Sequence, residues 1–170
     1  CLSARSRIDA YIVRVMESSL AALPEPAYLR RIGEIAYTVS YMEWTILGDL
    51  HHLADRLPPG LGLRSLEPLT VSGIATEVRK AAKKCEPGQV KDYLTATYKA
   101  LFAAADIRND VLHARPATTS DNLQRLLRAE VRNQRPTGAM FWIDEDWIDD
   151  AIARLNEEMS AVSRVRPPVP

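Results

Sequence analysis

Ala104-Ala105-Asp106-Ile107-Arg108-Asn109-Asp110-Val111-Leu112-His113-Ala114-Arg115-Pro116 is the stretch on which the reading of this chain turns. Pro116 biases Arg115 away from the helical region and stops a helix that begins soon after Pro87-Gly88. Within that helix Leu94, Tyr98, Leu101, Ala105, Arg108 and Leu112 recur at spacings of four and three, the row expected to face a core. Arg108 interrupts the row. A guanidinium keeps its charge, so an inward arginine must meet a carboxylate or line a cleft that admits an anion. Asn109 and His113 lie four residues apart, one above the other on the adjoining face, so arginine, amide and imidazole converge on one side of the last turns. His113 falls in the final turn, where the negative pole of the helix favours an imidazolium and Arg108 opposes it. Histidine is also the side chain that exchanges protons near neutral pH.

Arg108-Asn109-Asp110-Val111-Leu112-His113 resembles the R-x4-6-H motif of the HEPN superfamily (higher eukaryotes and prokaryotes nucleotide-binding), in its R-N-x-x-x-H form. The resemblance covers six residues near the end of the fourth helix of an expected bundle, with a long second helix upstream. It implies a helical bundle that forms a homodimer with the two motifs facing each other. Many members are metal-independent ribonucleases that use no cofactor, often toxins or RNA-processing and defence proteins. Others have lost catalysis.

The long second helix is predicted from about Ala27 to Leu57, stopped by Pro58-Pro59-Gly60. Its inner row reads Ile32, Ala36, Val39, Glu43, Ile46, Leu50, Leu53 and Leu57, with Glu43 alone among apolar neighbours. Each of the two longest helices therefore carries one charged defect, and the signs are opposite. Breaking a buried pair typically costs about 3–5 kcal/mol, so the economical expectation is that Glu43 reaches Arg108. Two meanings stay open: a plain salt bridge that fixes helix register, or a carboxylate that orients Arg108 beside His113, as an acidic second-helix residue does in some HEPN proteins. Tyr37, Tyr41 and Trp44 occupy the other side of this helix, with Asp49, His51, His52 and Asp55 near its end. Adjacent histidines point about 100° apart on a helix and cannot chelate one ion together, so no metal site is expected.

An earlier helix over about Ser6 to Leu23 carries the stripe Ile8, Tyr11, Ile12, Val15, Met16 and Leu20. The linker from Pro58 to Pro68 should be loop. A third helix follows Thr70 or Ser72 as N-cap, with Val71, Ile74, Ala75, Val78 and Ala82 inward and Lys80, Lys83 and Lys84 near its end. Ala117 to Asp121 is small and polar, hence a loop beside the motif. Leu127, Ala129 and Val131 then alternate with Arg128, Glu130 and Arg132, a two-residue period that predicts a strand. Asn133 to Gly138 is read as a turn, and Ala139 to Ile143 as the returning strand. This hairpin gathers Arg125, Arg128, Arg132 and Arg135 near Arg108 and Arg115; Phe141 and Trp142 either stack single-stranded nucleic acid there or, as is commoner for two aromatics in a strand, belong to the core. The last helix starts near Asp144 or Asp146, buries Trp147, Ala151, Leu155, Met159 and Val162, and leads to a proline-rich tail over 166–170.

The 170 residues fit one mainly α domain, a bundle of about five helices with a short hairpin before the last. Twenty-two basic and 22 acidic residues give zero net charge, which argues against gripping nucleic acid through bulk charge and leaves only a local patch. Cys1 and Cys85 form no disulfide framework, so a reducing cytoplasm is the simplest compartment. No apolar run approaches the roughly 20 residues of a membrane span. The opening Cys1, in place of methionine, fits an internal position of a longer protein or a trimmed chain. Paired-cysteine metal motifs, glycine-rich phosphate loops and serine elbows are all missing from the sequence. The expected site comprises Arg108, Asn109, His113 and Glu43, with Arg115, Arg125, Arg128 and Arg132 as a weaker RNA-binding set. Two functions follow: a metal-independent endoribonuclease, or a catalytically silent HEPN module that dimerises and binds a partner protein, such as an antitoxin, or a nucleotide.

Overall fold

A computed structural model describes residues 21–132 and 135–168. The helix expected over Ser6 to Leu23 lies outside them. Helix α1, Pro26–His52, opens with proline in its first turn, where the missing N–H costs nothing. A 3-10 turn, Ala54–Arg56, and a four-residue helix α2, Leu63–Leu66, follow. The linker thus contains a helical turn where loop was expected, because Leu66 and Leu61 drop into the core. Helix α3, Val71–Lys84, is capped by the Thr70 hydroxyl, which accepts from the Gly73 amide at 3.2 Å. Its five expected inward residues are all buried. Helix α4, Gln89–Leu112, carries the motif and packs on α3, on α1 and on the last helix, α5, Glu145–Val165. Asp144 caps α5 by accepting from the Trp147 amide at 2.9 Å.

Between α4 and α5 the chain forms a three-stranded antiparallel sheet, β1 Arg115–Thr118, β2 Gln124–Arg132 and β3 Arg135–Ile143, in the order β1-β2-β3. Two expectations change here. Residues read as a loop after Pro116 supply an edge strand, with Pro116 opposite Leu126; proline is tolerated there because an edge strand pairs on one side only. The stretch read as turn up to Gly138 is already strand from Arg135. The β1–β2 connection closes by Asn122, at φ 67, a left-handed conformation that asparagine accepts more readily than most residues.

Both helical rows hold in part: Val39, Ile46 and Leu50 on α1, Leu53 and Leu57 beyond it, and Leu94, Leu101 and Ala105 on α4 are buried as expected, but each row departs at particular positions. On α1 the fully buried residues include Ile35 and Met42, whereas Ala36 is exposed and Glu43 half-buried. On α4 the buried face runs through Tyr93, Leu94, Thr97, Leu101, Ala104 and Ile107, leaving Arg108 and Leu112 exposed. Thr97 explains the second error: it is 0 % exposed, and a polar residue at the centre of a buried face drew the row toward its neighbour Tyr98. Arg108 therefore does not point into the core. Helix ends are tied by ion pairs, Arg31 to Glu34 and Asp149, and buried Asp49 to Arg166, while Arg56 donates to the Pro168 carbonyl and holds the tail against the end of α1. Burial pushes the Asp49 carboxyl up, and Arg166 opposes that push. Among the described residues no helix is long and apolar enough to cross a membrane.

The sheet is fastened to the helices by Tyr28, 1 % exposed, whose hydroxyl donates to the Ile143 carbonyl at 2.8 Å and accepts from the Leu126 amide at 3.2 Å. Tyr28→Phe leaves both backbone groups without that partner, and a buried unsatisfied group costs about 1–3 kcal/mol. Urea unfolding should show a loss in this range at unchanged slope.

Candidate functional site

Arg108, Asn109 and His113 occupy the last turn of α4 and its C-cap. The His113 amide donates to the Asn109 carbonyl at 2.9 Å, so backbone geometry fixes the two side chains on one face. Arg108 and His113 are exposed and Asn109 is half-buried. The imidazole stands at the negative pole of a 24-residue helix.

Beside this turn, between α1 and α4, lies a cavity of about 140 Å³ lined by Ile35, Ala36, Val39, Ser40, Glu43, Arg108, Val111 and Leu112. Its walls are aliphatic, and its charged groups are one carboxylate and one guanidinium. Glu43 and Arg108 thus share a cavity, as their paired positions suggested, yet they close no ion pair or hydrogen bond among the described residues. Burial holds the Glu43 carboxyl above its ordinary range, and the charge of Arg108 pulls it back only in part.

The other arginines are differently placed. Arg125, 9 % exposed, donates twice to Glu25, at 2.6 and 2.8 Å, and lies 4.5 Å over the Tyr28 ring. Arg128 donates to Asp110 at 3.1 Å. These two are engaged in holding the sheet to the helices. Arg115 is exposed on β1, and Arg132 stands opposite Arg135 in the β2–β3 register. The basic neighbourhood of the sequence is therefore divided, with Arg108, Arg115 and Arg135 its exposed members whose side chains are described. Phe141 stacks on Trp147 at 6.4 Å and belongs to the packing against α5. Conversely, Tyr37, Tyr41 and Trp44 stand out from α1 at 74, 58 and 56 % exposure, next to the cavity through Ser40.

Sequence reasoning missed Ser40, Ile35 and Val111, whereas Leu112, expected to face inward, lines the cavity. Ser40 sits three residues before Glu43, so the helical neighbour rule applied to Glu43 would have found it. His51 and His52 keep their rings 5.6 Å apart and tilted by 48°. Compared with known proteins, the chain matches no family model, no curated protein and no solved structure.

The direction of the Glu43 shift makes a test. A carboxyl whose folded pKa is raised binds its proton more tightly when folded, so its contribution falls as pH rises through the window between unfolded and folded values and stays unfavourable above it. Glu43→Gln should therefore melt at or above wild type at pH 7, with the advantage shrinking as pH falls toward about 4. A drop of several degrees at pH 7 would instead mark a stabilising pair.

Proposed function

We propose that this domain is a metal-independent endoribonuclease of the HEPN type. The observation that carries the reading is the state of Arg108. Arg108, at the same helix end as Asn109 and His113, lines the cavity, is exposed and closes no ion pair among the described residues, so it stays available to an anion. An exposed imidazole, an amide and an unpaired guanidinium on one helix turn supply what cleavage at a ribose phosphate needs: a proton-transfer group, a hydrogen-bond donor and positive charge. In the step proposed, His113 takes the proton of the substrate's 2′-hydroxyl, whose oxygen bonds to the adjacent phosphorus. The bond to the 5′-oxygen breaks, and that oxygen leaves with a proton. Arg108 stabilises the charge gathering on the non-bridging oxygens. Asn109 donates to phosphate or steers the imidazole. One protomer offers one histidine here, and a two-fold dimer lying along α4 would bring a second to protonate the leaving oxygen.

The alternative reading is a catalytically silent HEPN-type module that dimerises or binds a partner protein. The exposed row of Tyr37, Tyr41 and Trp44 favours it, since tyrosine and tryptophan are enriched at the energetic centres of protein interfaces.

Cleavage of single-stranded RNA in the presence of chelator, leaving a 2′,3′-cyclic phosphate and sparing the DNA analogue, is the expected result. His113→Ala should lose about 10²–10⁴-fold in rate with its melting temperature retained, because an exposed C-cap histidine supports little core. Equal cutting by wild type and His113→Ala would transfer the activity to a contaminant and leave the silent module. Light scattering should report a dimer at micromolar concentration; a monomer counts against the two-histidine site.

A further inference from the structure

We propose that the cavity between α1 and α4 is a base pocket that takes one cytosine ring of single-stranded RNA, with Glu43 reading its amino group. This rests on the ribonuclease reading of the adjacent Arg108–His113 turn and assigns it a base preference.

Size sets the first limit. At about 140 Å³ the cavity is close to the roughly 150 Å³ that encloses one benzene ring, so a single six-membered ring fits where a fused purine would crowd. The walls set the second. Ile35, Val39, Val111 and Leu112 present aliphatic faces that accept the flat of an aromatic ring, and Ala36 keeps the mouth open. The polar groups set the third. Glu43 has no hydrogen-bond partner among the described residues, although it is half-buried on the cavity wall. An ionised carboxylate accepts and never donates. The ring that satisfies it must therefore turn a donor toward it. Of the two pyrimidines in RNA, cytosine carries the exocyclic N4 donor, which carboxylates recognise, whereas uracil presents the O4 acceptor at the same place. Ser40, on the same wall, can donate to a ring acceptor. Arg108 shares the lining and is exposed, so a phosphate attached to the seated nucleoside can meet the guanidinium. One feature thus seats the base and brings its phosphate to Arg108.

The experiment measures binding without cleavage. Fluorescence anisotropy with labelled r(C)8 and r(U)8 is run on the His113→Ala protein, so that no strand is cut. The expected result is at least about tenfold tighter binding of r(C)8, the discrimination a single good base contact gives. Adding Glu43→Gln supplies an amide that can donate to the uracil O4, and the preference should collapse or reverse with the fold retained by melting. Ala36→Leu fills the exposed mouth of the cavity without touching its charges, and should cost r(C)8 most of its advantage. Equal affinity for the two RNAs, or a cytosine preference indifferent to both substitutions, overturns the base pocket even if wild type cleaves RNA. Selective binding without cleavage by wild type would sustain the pocket and overturn the ribonuclease reading. Absence of both binding and cleavage overturns both.

Discussion

Tyr28 is the contact through which helices and sheet become one structure. Its ring lies under the Arg125 guanidinium, its hydroxyl bridges the end of β3 to β2, and Arg125 is itself held by Glu25 at the entry to α1. The same sheet also packs Leu126, Phe141 and Ile143 onto the helical core. Because β1 follows the motif helix directly, the position of the sheet also bounds the space around His113. A residue far from the motif in sequence thereby helps define the candidate site.

The helical parts were largely legible because their information is local. Thr70 and Asp144 as caps, Gly88 before α4, and the apolar spacing of α3 and α5 each act within a few residues. The sheet was half legible: alternation in β2 and β3 announced a hairpin, but β1 owes its conformation to pairing with β2, and the tetrapeptide Arg115–Thr118 carries no period of its own. Burial was harder still. A row of spacing four and three can be shifted by one residue and remain a row, and only partners from other helices decide which version faces inward. Met42 displaced Glu43, and Thr97 displaced Tyr98, for that reason.

The candidate site inherits this mixture. Arg108, Asn109 and His113 were legible as residues of one helix end, because Pro116 and the apolar spacing mark where α4 stops. Glu43 was legible as an anomaly and as a neighbour of Arg108 on one cavity, without a closed ion pair among the described residues. The two charges do face one cavity, but the helices carry them to its walls instead of pressing them together. A separated pair leaves a carboxylate short of a donor and an arginine short of an anion, two vacancies of opposite kind a few side chains apart. The arginines of the hairpin were misjudged in another way, because composition cannot tell a cation that faces solvent from one such as Arg125 that is consumed by the fold.

The junction between α4 and β1 has a mechanical side. Ala114 alone separates His113 from the first strand residue, Arg115, whereas Arg108 sits within a helix whose hydrogen bonds resist stretching. A load applied to the sheet reaches the imidazole through two peptide units and is then stopped by the rigid rod above it. The three strands are in turn held to the helices by Tyr28, Arg125 and Arg128, so the junction at His113 is braced from both sides.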